Sequence, residues 1–221
     1  MPKPETPRKA PSLLEALRAR RDEDLIVRWR DRETDGTLAE AYAEAARRLA
    51  SSFASQPYDD QILLPFLFVY RHAIELDLKH AIREAVALRR MAAHRELPSA
   101  VELETKLRRY GHRLLVLGDK LDEHLQALDL ERTPAATRRV LRGLNDLDLN
   151  GTGFRYANAF EDGATHIDFP RLAALLDETH RMLAATDDML DYAAEGYRIA
   201  MDEAAQYESE LRAEFEAYES Y

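Results

Sequence analysis

Leu63-Leu64-Pro65-Phe66-Leu67-Phe68-Val69-Tyr70-Arg71-His72-Ala73-Ile74-Glu75-Leu76-Asp77-Leu78-Lys79-His80 is the stretch on which the reading of this chain turns. It opens as an almost continuous apolar run, too rich for a surface element, and then takes in Arg, His, Glu, Asp and Lys without a break. At about 100° per residue, Arg71, His72, Glu75, Lys79 and Arg83 fall on one third of a helix circumference. Phe66, Val69, Tyr70, Ala73, Ile74, Leu78 and Ala81 fill most of the rest, with Asp77 among them. The periodicity predicts one long helix from about Asp59 to Arg90, with Pro65 marking a kink or a later start. A core helix with such a stripe is either stitched by internal pairing or holds a site. The Arg71, Glu75, Lys79 ladder, at four-residue intervals, suits the first reading.

The surrounding sequence is helical in the same way. Ser12-Leu13-Leu14-Glu15 has the pattern of a capping box, so a first helix is predicted from there to about Arg32. Asp35-Gly36 reads as a turn and Thr37-Leu38-Ala39-Glu40 as a second cap. The helix to about Ala54 is then expected to bury Leu38, Ala41, Tyr42, Ala45 and Leu49. Ser99-Ala100-Val101-Glu102 caps a short helix ending near Tyr110-Gly111. A further helix is predicted over 112–128, with Leu114, Leu117, Leu121, Leu125 and Leu128 inward. Thr133-Pro134 reads as a cap and first position, opening a helix with Val140, Leu141, Leu144 and Leu147 inward that stops near Asn150-Gly151. Residues 151–169 break the rhythm, and Asp162-Gly163 suggests an irregular loop or small hairpin. Pro170 opens a last long helix with Leu172, Leu175, Leu176, Leu183 and Met189 inward.

The predicted class is therefore an all-α helical bundle with one irregular excursion at 151–169 and a C-terminal helical extension. Residues 1–11, with four prolines among charges, read as a disordered leader, 12–190 as the bundle and 191–221 as an acidic, Tyr-rich helical tail. The chain of 221 residues has no cysteine, which excludes disulfide and thiol chemistry and fits a cytoplasmic protein. No apolar run reaches the roughly 20 residues that span a bilayer, so no membrane is expected. The net charge of −10 is concentrated at one end. From Thr186 onward there are 11 acids against Arg198 and Arg212, leaving 30 acids and 29 bases in the rest. A neutral body with basic patches remains able to bind nucleic acid, although nonspecific affinity is disfavoured.

Three stretches, in order, resemble one known family. Arg71-His72-Ala73-Ile74-Glu75-Leu76-Asp77-Leu78-Lys79 is followed by Gly111-His112-Arg113-Leu114 and later by Phe154-Arg155-Tyr156. Together, across roughly residues 60 to 185, they resemble uncharacterised bacterial members of the HEPN superfamily. The resemblance implies a compact helical bundle, usually dimeric, and an RNA-directed protein of phage-defence or toxin type. It further implies metal-independent endoribonuclease activity, with Arg71, His72 and Glu75 in catalysis and Lys79, Arg155 and Tyr156 on the RNA. Active members carry Arg, four to six residues, then His. Here Leu76 occupies the nearest such position, His80 lies beyond it, and Arg89 to His94 meets the spacing elsewhere. The implied partners are RNA, a second copy of the chain and a defence or antitoxin protein. The alternative is a non-catalytic helical dimerisation or interaction module in a defence or regulatory complex.

Other polar groups are open to two readings. Asp77 with His80 and Asp177 with His180 are each three apart, the spacing at which bundles present a carboxylate and a histidine to a metal. Ordinary satisfaction of polar groups in a core helix explains them equally, and no metal or cofactor is expected. Arg18/Arg20/Arg21, Arg108/Arg109/Arg113 and Arg138/Arg139/Arg142 are either solvated helix faces or a basic path for RNA. No phosphate-cradling glycine loop, Gly-x-Ser-x-Gly or zinc spacing occurs.

Overall fold

The computed structural model describes residues 34–94, 97–151, 153–155 and 166–219. The predicted leader, the helix at 12–32 with its arginines, the turn at Asp162-Gly163, Tyr156 and Tyr221 lie outside the described residues. Within them the protein is an all-α bundle of six helices, with no strand. They are α1 (Asp35–Ser51), α2 (Leu63–Met91), α3 (Ala100–Tyr110), α4 (Leu114–Ala127), α5 (Ala135–Leu147) and α6 (Phe169–Glu219). Short 3-10 turns sit at Asp59–Ile62 and Gly153–Arg155. Among the described residues, no helix is long and apolar enough to cross a membrane.

The spine stretch forms α2, around which α1, α4 and α6 pack. Its true start is Leu63, because a 3-10 turn precedes it and Pro65 then falls in the first helical turn, where its missing N–H costs nothing. Phe66, Tyr70, Ile74, Leu78 and Ile82 are fully buried, joined by Leu114, Leu117, Leu121 and Leu125 from α4. α6 runs parallel to α2, since Tyr70 meets Asp177 and, further along both helices, Asp77 meets His180. Ser99 and Glu102 form the predicted capping box of α3.

Several local expectations are corrected. Thr34, not Thr37, caps α1, and Thr37 supplies the reciprocal bond from inside the first turn. α1 buries Ala39, Ala43 and Ala46 rather than the larger Leu38 and Tyr42. Its small side chains let the backbone approach α2 closely, which is worth more than burying two bulkier groups at greater distance. Pro134 takes the cap position of α5, and the Thr133 backbone N–H donates instead to Asp122 (2.9 Å). α5 stops at Leu147, three residues early. Leu147 and Leu175, both expected inward, are 48% and 44% exposed. They line an apolar cleft of about 400 Å³ that α5 and α6 leave open between them.

Leu121 and Leu175 therefore differ sharply despite similar sequence contexts. Leu121→Ala should cost about 2–5 kcal/mol in urea unfolding, whereas Leu175→Ala should stay within about 0.5–1 kcal/mol.

Candidate functional site

The charged ladder of α2 is buried at its N-terminal rungs. Arg71 and Glu75 are 3% and 2% exposed, too deep for an ion pair that forms only along one helix. The chain brings two distant segments to them, beside Lys79 of the same helix. Glu75 Oε1 accepts from Lys79 Nζ (2.6 Å), and Oε2 accepts a longer bond from Arg71 Nη1 (3.4 Å). His112, in the short turn between α3 and α4, places Nδ1 2.9 Å from both Glu75 oxygens. Arg71 Nη2 donates to the backbone carbonyls of His112 (2.6 Å) and Asp148 (2.8 Å), while Nε lies 3.4 Å from Asp148 Oδ2. Asp148 Oδ1 in turn accepts the Gly153 N–H (2.9 Å).

The loop after α5 closes over this cluster. Gly151 adopts φ +70°, and a Cβ there would come within 2.8 Å of both Arg71 Nη1 and His112 Cβ. Only glycine combines that backbone angle with so close an approach. Phe154 is buried, so the 3-10 turn that carries it is anchored in the core. Two of the resemblance motifs thus meet, α2 through Arg71 and Glu75 and the α3–α4 turn through His112, and Gly151 and Gly153 bring in the loop that leads to the third.

Electrostatics set the state of the pair. Burial pushes the Glu75 carboxyl up, but its hydrogen bonds to Lys79 and His112 outweigh burial and hold it below the usual range. An ionised carboxylate only accepts hydrogen bonds, so the proton of His112 must sit on Nδ1. That leaves Nε2 with its lone pair. Among the described residues Nε2 has no protein partner, and the His112 side chain is 49% exposed. The arrangement is an oriented imidazole with an anion behind it and solvent in front, able to take a proton from a bound hydroxyl.

The remaining predicted site residues divide. His72 faces α1, edge-on to Tyr42 (centroids 4.6 Å) and parallel to Phe68 (6.3 Å), and it does not join the Arg71–Glu75 cluster. Lys79 reaches the cluster from its rim. The Arg155 backbone lies in the 3-10 turn, while its side chain and Tyr156 lie outside the described residues. Arg113 turns back onto the carbonyls of Tyr110 and Arg109, closing the end of α3. Arg138 pairs with Asp119 and Asp122. His112 and Asp148 were not among the predicted site residues. Gly111-His112 within the second motif was the signal for the first, and the turn-forming Asp148-Leu149-Asn150-Gly151 for the second.

Compared with family models, curated proteins and solved structures, this chain matches none.

A second polar network lies on the other side of α2. The two Asp/His pairs do not assemble as pairs but cross between helices. Asp77 lies 2.6 Å from His180 Nδ1, Glu40 of α1 lies 2.9 Å from His180 Nε2, and His80 lies 3.1 Å from Asp187. Asp177 instead accepts from Arg47 (2.9 Å) and Tyr70 (3.0 Å). Among the described residues no group of three or more His, Asp or Glu is placed to hold a metal ion. Burial works against a charged His180, yet the carboxylates on both ring nitrogens raise it above the usual histidine range. Burial also pushes the Asp77 carboxyl up, against its bond to His180. We assign the buried pair as imidazolium and carboxylate because Glu40 adds a second anion on the far nitrogen.

Two outcomes follow from these networks. Arg71→Ala takes the donor from two backbone carbonyls and the guanidinium from beside Glu75, and should cost about 3–5 kcal/mol in urea unfolding. His180 has a raised folded-state pKa, so its contribution is complete below its unfolded value of about 6.5 and is lost as pH rises through the folded value. His80, raised by Asp187, acts with the same sign. Stability should therefore fall as pH rises above about 6.5, and His180→Gln should flatten that slope.

Proposed function

We propose that this chain is a HEPN-like, RNA-directed protein of defence or toxin type whose chemistry runs through His112. The observation that carries the reading is the meeting of Glu75 and Gly151 at the half-exposed imidazole of His112. In this reading His112, rather than His72, moves the proton. The 2′-hydroxyl of a bound RNA gives its proton to His112 Nε2 as its oxygen attacks the adjacent phosphorus. The bond from phosphorus to the 5′-oxygen breaks, and that oxygen takes a proton from the imidazolium or water. The products are a 2′,3′-cyclic phosphate and a 5′-hydroxyl, with no metal involved.

Glu75 holds the imidazole in the productive tautomer and stabilises its protonated form, as a carboxylate behind a histidine does in other acid–base sites. Arg71 positions rather than contacts substrate, because its guanidinium is turned onto the His112 and Asp148 carbonyls. Lys79 stands at the rim as a cation for phosphate, and the resemblance adds Arg155 as a second cation and Tyr156 as a base-stacking ring. The assembly expected of this reading is a homodimer, which light scattering checks. The burial of Arg71 favours a second reading, in which the cluster is a structural clasp in a non-catalytic interaction module.

The two readings separate in a gel assay with transfer or ribosomal RNA in the presence of a chelator. The first expects cleavage leaving cyclic-phosphate ends, reduced about 100-fold or more by His112→Gln and unchanged by His72→Gln. Thermal melts of both variants control for folding. No cleavage by the native protein, or full cleavage by His112→Gln, removes the catalytic reading.

A further inference from the structure

The second half of α6 leaves the bundle bare. From Glu195 to Glu216 every residue is exposed, a rod about 33 Å long at 1.5 Å per residue. We propose that its apolar stripe is the docking face for a basic amphipathic helix of a partner protein.

The stripe continues the face that α6 already buries. On a helix of about 100° per residue, Leu183 and Leu190, both buried in the core, fall with Tyr197, Ala204, Leu211 and Phe215 in one band about 80° wide. α2 runs parallel to α6 and ends at Met91, so the same face passes beyond its cover. Where it does so, a cleft of about 300 Å³ opens between Leu88 of α2, Leu128 and Leu130 after α4, and Ala193, Tyr197 and Ala200 of α6. At the far end Leu211, Phe215 and Tyr218, with the acidic Glu214, line a second hollow. A helix laid along the rod would begin in the cleft and end on that hollow.

The rod also lacks the contacts that sustain a helix by itself. Helices in proteins draw most of their stability from packing an amphipathic face against other elements. Among the described residues its internal side-chain bonds are Arg198 to Glu195 (2.7 Å) and Gln206 to Glu210 (3.3 Å). Exposed Tyr207 and Phe215 add an apolar surface that water does not reward.

Charge selects the occupant. Residues 195–219 carry eight acids against Arg198 and Arg212. Glu208 falls on the stripe itself, beside the meridian of Tyr197 and Phe215. Two copies packed rod to rod would set their acidic flanks against each other, and like-charge repulsion opposes that pairing. RNA is repelled outright. A partner helix with Lys or Arg flanking an apolar seam reverses every one of those terms. The inference stands on α6 and holds whether or not His112 cuts RNA.

The test uses the full chain and two labelled synthetic peptides of one length, both with a leucine seam, one flanked by lysine and the other by glutamate. Fluorescence anisotropy should show saturable binding of the lysine peptide alone, weakened at least tenfold in the double variant Leu211→Ser, Phe215→Ser. Both positions are exposed, so the bundle itself should melt as in the native protein. No binding of the lysine peptide, equal binding of both peptides, or binding untouched by the double variant overturns the proposal. So does a native dimer in light scattering that the double variant dissolves, which would make a second copy the occupant.

Discussion

The carboxylate of Glu75 is buried to 2% exposure in the middle of the longest core helix, and a bare charge there would cost several kcal/mol. It stays ionised because Lys79 reaches it from one turn away and His112 from the next corner of the chain. Arg71 then spans the gap, binding the carboxylate with one amino group and two backbone carbonyls with the other. Three connections, α2 itself, the α3–α4 turn and the loop after α5, must arrive together or the charge is stranded. That requirement fixes where His112 stands.

A second stitch works on the opposite side of α2. Asp77 cannot face the same neighbours as Glu75, since the two are separated by about 200° on the helix. It meets His180 of α6, which in turn meets Glu40 of α1. One helix therefore ties every other layer through buried ionic groups on two faces, with the apolar residues between them supplying the bulk of the packing. Such pairs contribute specificity of register more surely than net stability. The stitch at Asp77 buries the His180 ring between that carboxylate and the outer Glu40, whereas the one at Glu75 leaves half an imidazole open to solvent.

Much of this was legible along the chain. The Leu63–His80 run, the Ser99–Glu102 box and the leucine spacing of α4 each carry their own local physics, and each forms its element close to the predicted bounds. The faces of α1 and α6 were harder. Ala39, Ala43 and Ala46 are buried because a close helix contact prefers small groups, and that preference belongs to the partner helix as much as to the sequence. The partners of ionic groups were hardest of all. Glu75 pairs with His112 across 37 residues and Asp77 with His180 across 103, separations that no local pattern encodes. Spacing suggested Asp77 with His80 instead, because neighbours on one helix are the only pairs a periodicity can see. His112 was marked only by its place in the second motif.

The central claim is the state of one ring: Glu75 holds a proton on His112 Nδ1 and leaves Nε2 bare. Long-range proton–nitrogen correlation NMR on the labelled protein, at a pH of about 8 where a free histidine is neutral, reads the tautomer directly. The account predicts a protonated Nδ1 and an unprotonated Nε2 for His112, with the preference lost in Glu75→Gln. A protonated Nε2 in the native protein, or a tautomer indifferent to residue 75, would contradict it.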